Sequence, residues 1–106
     1  MASRKLGILL STPPEHPSVE TVFHLVRAAL SKDTDVYLYL IDEGVKSVCD
    51  TRYAELLDGG VKMSVCAYGC QQHGIPTAIV DARASLSGLV VLSGIVENCD
   101  RFLAFT

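Results

Sequence analysis

A chain of 106 residues is one domain with room for a single core. Its net charge of −3 and the lack of any basic cluster argue against nucleic acid or an anionic membrane surface as a partner. Hydrophobic residues make up 49% against 20% charged, so apolar surface left over from one small core is expected to be covered in a homo-oligomer. No apolar run approaches a membrane span. Met1-Ala2-Ser3-Arg4-Lys5 leads into Leu6–Leu10, too short for a signal segment, so the expected compartment is the cytoplasm. Four cysteines in such a chain point to reactive, metal-binding or buried thiols rather than to a disulfide framework.

Lys5–Leu10 is a nearly continuous apolar run, the pattern of a central strand covered on both faces. Pro13 and Pro14 prevent further pairing in the loop that follows. Pro17 and Ser18 open a helix whose inner face is Val19, Val22, Phe23, Val26, Ala29 and Leu30; Glu20, His24, Arg27 and Ser31 lie opposite. Asp35 to Ile41 is a second strand rich in β-formers. The stretch from Val45 to Asp58 holds one broken helix, with Thr51 as its expected cap. Gly59-Gly60 leads into Val61-Lys62-Met63-Ser64-Val65-Cys66, an alternating strand tipped by a cysteine. A short helix ending at Gly74 and Pro76 comes next. Thr77-Ala78-Ile79-Val80 suits a strand or a helical turn. Leu86, Leu89, Val90, Leu92, Ile95 and Val96 predict a helix buried on more than one side, and Arg101 to Phe105 a final strand. The order predicts an α/β fold: a Rossmann-like three-layer arrangement with a mainly parallel sheet of about five strands and right-handed crossovers.

In such sheets ligands bind beyond the carboxyl ends of the strands, which is where Cys66 falls. A thiol there also faces the free N–H groups of the next helix, which favour an anion. Cys66 is therefore the candidate reactive thiolate, against the alternative of a small buried hydrophobe. Cys70 lies one helical turn on, its Cα roughly 6 Å from that of Cys66, at the far side of what a disulfide accepts. It is a candidate resolving thiol, a docking thiol or an inert one. Tyr68, Gly69 and His73 are candidates to shape the pocket, as are Ser11 and Thr12 on the same sheet edge. A metal held by Cys66, Cys70 and His73 lacks a recognisable fourth ligand, and Ser11-Thr12-Pro13-Pro14 is no phosphate-binding loop, so no cofactor is expected. For Cys49 and Cys99, burial is the expectation. His16 and His24 show no serine or carboxylate partner at a suggestive spacing, and Asp100-Arg101 reads as a helix-end ion pair.

Cys66 through Gly74-Ile75, then Ser85-Leu86-Ser87-Gly88-Leu89 with Leu92, then Cys99-Asp100-Arg101-Phe102 and Phe105, resemble the DsrE/DsrF/TusD family of small sulfur-relay proteins. The likeness covers essentially the whole chain as one domain, 1–106. It implies a Rossmann-like parallel sheet, assembly into dimers, trimers or hexamers, and a strand-end cysteine that carries sulfane sulfur as a persulfide. Cys66 matches that cysteine. Cys70 has no counterpart in the sulfur-transferring members, and Gly74 to Ser85 is shorter than in them. The function so implied is a sulfur carrier or sulfurtransferase subunit, trimeric or hexameric, whose partners are sulfur donor and acceptor proteins or small thiols and polysulfides. The alternatives are a non-catalytic oligomeric domain that binds a small ligand or a protein, and a dithiol redox protein using Cys66 and Cys70.

Overall fold

The computed structural model describes residues 4–106; Met1, Ala2 and Ser3 of the N-terminal stretch lie outside them. The elements run β1 (Lys5–Leu10), α1 (Pro17–Leu30), β2 (Asp35–Leu40), a 3-10 helix (Asp42–Cys49), α2 (Thr51–Asp58) and β3 (Lys62–Cys66). They continue with α3 (Ala67–Gln72), a single 3-10 turn (Thr77–Ile79), β4 (Ser85–Ser87), α4 (Leu89–Asn98) and β5 (Arg101–Phe105). The strands form one sheet in the order β4-β3-β2-β1-β5, and every neighbouring pair is parallel. From β1 the chain steps through β2 and β3 out to β4 at one edge, then crosses back through α4 to set β5 beside β1 at the other. Helices cover both sides, as the alternating order of elements predicts.

The core lies mainly between the sheet and the α1–α2 layer. Val19, Val22, Phe23 and Val26 of α1 are buried with Tyr53, Leu56 and Leu57 of α2 over Ile8, Leu10, Val36, Leu38 and Leu40. The Tyr53 hydroxyl donates to the Val19 carbonyl at 3.0 Å and ties the two helices together. The other face is thinner. Ile95 is the one buried residue of α4, closing with Phe102 on Gly7, while Leu89, Val90 and Val96 stand in the open. The expectation that this helix is buried on more than one side is not met within a single chain.

Several local expectations are corrected. Asp50, not Thr51, caps α2: its carboxylate accepts from the Arg52 N–H at 2.9 Å and pairs with the Arg52 guanidinium. Leu86 belongs to β4 rather than to the last helix. His16 does have a serine partner: its ring caps α1 by accepting from the Ser18 N–H, and its Nδ1 lies 2.9 Å from the Ser18 Oγ. Asp100 forms no pair with the Arg101 side chain among the described residues; its carboxylate accepts from the Lys5 backbone N–H at 2.8 Å, locking the start of β1 to the end of α4. Cys49 is exposed and Cys99 half-buried, so burial fails for the first and holds in part for the second.

Candidate functional site

The strand-to-helix junction at Cys66 builds the site. β3 ends there because Cys66, at φ −65° and ψ 116°, is the N-cap residue of α3. Its own Sγ serves as the capping acceptor, taking the Gly69 N–H at 3.4 Å. Cys66 is only 6% exposed. It nevertheless lines a groove of about 540 Å³ that opens past Tyr68, Gln72 and Leu89. Cys66 thus belongs to the buried core cluster and at the same time borders the groove.

Gly69 stands where α3 packs on the 3-10 helix. A Cβ there would lie 2.9 Å from Val45 Cγ1 and 3.3 Å from the Asp42 nitrogen, so only glycine lets α3 close on the 3-10 helix and bring its N–H to the sulfur. Tyr68 is 66% exposed at the mouth. His73 closes α3, and its Nε2 lies 2.9 Å from the Asp42 carboxylate, which itself lines the groove. Cys70 is 1% exposed, and burial, then the neighbouring Cys66, push its thiol pKa up. Both cysteines are free thiols. Ser11 and Thr12 are not brought to this groove: Ser11 reaches the Phe105 carbonyl, and the Thr12 hydroxyl bonds with Ser18 at the start of α1.

Three residues enter that the sequence reading passed over. Tyr39, fully buried, lies across the β2–β3 side of the sheet and donates to the Ser87 carbonyl at 3.5 Å. Burial raises its pKa first, and charge on the adjacent Cys66 raises it further. Ser87 is the register partner of Cys66 on β4, and its Oγ is shut away from solvent without a hydrogen-bond partner. Asp42 turns the chain off β2 at φ 51°, a left-handed conformation that aspartate tolerates. Asp42 alone offered a sequence signal, as the polar residue ending the strand beside β3.

A second groove, of about 610 Å³, lies at the opposite ends of the strands, where Lys62 and Arg83 are already paired with Asp35, Asp58 and Asp81. Its one thiol, Cys99, has its pKa raised by burial. Among the described residues no group of three or more His, Cys, Asp or Glu side chains is placed to hold a metal ion, and no helix is long and apolar enough to cross a membrane.

No curated protein matches the chain. Among solved structures it is similar to the ychN protein of E. coli, at a TM-score of 0.83 and 16% identity, covering 98% of this chain and 100% of that one. It is similar also to a conserved protein of unknown function from Bacteroides thetaiotaomicron, at a TM-score of 0.80 and 17% identity, covering 95% and 94%. At such low identity these likenesses speak of the fold alone. The sequence itself goes further: residues 4–105 match the DsrE/DsrF-like family, so the protein belongs to that family.

Proposed function

We propose that the protein is a sulfur carrier that accepts sulfane sulfur on Cys66 and hands it on. The Cys66 thiolate attacks the outer sulfur of a donor persulfide; the donor S–S bond breaks, the donor leaves as a thiolate, and Cys66 holds the sulfur as Cys66–S–SH. Attack on that outer sulfur by an acceptor thiolate reverses the process, with no net oxidation. The observation that carries this reading is Cys66 at the strand end, lining a groove while its Sγ accepts the Gly69 N–H. Family membership and the match of Cys66 to the family's sulfur-carrying cysteine support it.

Cys70, buried and with its pKa raised, keeps its proton at neutral pH and packs α3 rather than resolving the persulfide. The donors and acceptors are proteins or small thiols and polysulfides that reach the sulfur past Tyr68 and Leu89. The exposed apolar side of α4 assembles the protein into a homo-oligomer in the cytoplasm. The test is the intact mass after incubation with polysulfide. Wild type should gain one sulfur atom and Cys66→Ser none. An adduct that persists in Cys66→Ser would reject Cys66 as carrier. No adduct in either protein would leave a binding domain with structural cysteines, and a two-hydrogen loss mapped to Cys66 and Cys70 a dithiol redox protein.

A further inference from the structure

Gly44 and Gly69 stand where neighbouring atoms leave no room for a Cβ, and Gly60 and Gly74 take positive φ. Gly94 has neither reason. It lies inside α4, where glycine weakens a helix relative to alanine, and a Cβ there would meet nothing within 4 Å. What it borders is the groove of about 610 Å³ at the starts of the strands. Glycine at such a place leaves the backbone open to the close approach of a ligand.

The floor of this groove follows from strand register. Gly7 faces α4, with Ile95 and Cys99 close above it. Gly7 pairs with Tyr37 and Tyr37 with Lys62, so both side chains share that face; Ser64 and its partner Ser85 share it too. Lys62 and Ser85 are exposed there, and Tyr37 and Ser64 half-buried. A bare face made for a dry contact with a second copy would be apolar and poor in lysine, and this one is not. Lys5, Lys62 and Arg83 line the groove, and no acidic side chain does. Arg83 is taken up by Asp81 and Asp58. Lys62 holds Asp35 only at 3.7 Å, and its ammonium lies 5.1 Å from the centre of the Tyr37 ring. Lys5 has no acidic partner among the described residues.

We infer that this groove binds a small organic monoanion with a flat apolar body, its charge held by Lys5 and Lys62 and its body beside Tyr37 and the Gly94 backbone. Its volume falls in the range of small-molecule sites, and Val91 and Ile95 supply an apolar wall. One unpaired and one loosely paired ammonium suit a single carboxylate or sulfonate better than a polyphosphate. The site stands apart from Cys66 and does not depend on sulfur being carried there.

The experiment titrates the protein with anilinonaphthalene sulfonate, an aromatic monoanion that fluoresces when shielded from water. A parallel titration uses phenylnaphthylamine, which has the same rings and no charge. Wild type should bind one sulfonate per chain, about tenfold more tightly than the amine. Lys5→Met and Lys62→Met should each lose most of that preference. Gly94→Leu puts a better helix former into the groove, so it should melt above wild type and bind the sulfonate about tenfold more weakly or worse. Val90→Ser, on α4 but outside the groove, should bind within about twofold of wild type. No binding, equal affinity for the two probes, wild-type affinity in Gly94→Leu, or a loss in Val90→Ser would each overturn the assignment. The last would place the probe on the exposed ridge of α4. A Gly94→Leu protein that binds normally but scatters light at a lower mass would give the groove to a second copy.

Discussion

Cys66 and Cys70 stand one helical turn apart, and both are buried. The first ends a strand and borders the groove; the second does not border it, and burial raises its thiol pKa. Cys70→Ala should therefore load sulfur to within about twofold of wild type, since rate follows thiolate fraction and access at the attacking sulfur. It should also release sulfide no more slowly. A persulfide that accumulates in Cys70→Ala beyond the wild-type level would make Cys70 the resolving thiol instead. Cys66 was legible in the sequence because alternation stops at it and glycine and proline follow. Tyr39 and Ser87 were not: residue type marks a strand, but which side chains meet across strands depends on register, and Tyr39 touches Ser87 from 48 positions away. Ser11 and Thr12 mislead for the same reason. They share the sheet edge with Cys66, but β2 stands between β1 and β3.

The 3-10 helix from Asp42 to Cys49 is the element on which the site leans. It packs over the end of β1 and against α3, and Gly44 makes the approach feasible. A Cβ at Gly44 would lie 2.1 Å from the Leu10 carbonyl oxygen, a backbone atom that cannot swing aside. Gly44→Ala should cost about 3 kcal/mol, the upper part of the overpacking range, and disturb Cys66 through Val45 and Gly69. Denaturant unfolding measures it; a loss below about 0.5 kcal/mol would mean that the helix is not seated as described. This element was hidden in the sequence. Tight i→i+3 turns leave no 3.6-residue stripe, whereas the stripe of α1 marked its buried Val19, Val22, Phe23 and Val26 along with the partly buried Ala29 and Leu30. The start of α4 was hidden for a different reason, since Leu86 continues the apolar pattern across the Ser87-Gly88 boundary and masks a three-residue strand.

On the scale of the molecule, a sheet buried on the α1–α2 side and thinly covered on the other has two consequences. Buried phenols couple stability to alkali: burial raises the pKa of Tyr53 and Tyr39 above the ordinary 10.0. The unfolded chain releases these protons first, so their contribution is intact below pH 10.0 and is lost as the pH climbs towards the folded-state values. Melting temperature should fall from about pH 10 upward, and less steeply in Tyr53→Phe; equal slopes would show that Tyr53 is not desolvated. The thin side bears on assembly. Leu89, Val90 and Val96 are 62%, 87% and 50% exposed on one short helix, and a net charge of −3 opposes self-association only weakly. Light scattering at about 100 μM should give a multiple of the 11.4 kDa chain mass, and Val90→Glu should shift it to the single-chain value, because an unpaired carboxylate at a dry contact costs several kcal/mol. Val90 is too exposed in the single chain for that change to disturb its fold, so far-ultraviolet circular dichroism should match wild type. A wild-type protein that scatters as one chain would leave this helix face without a second copy to cover it.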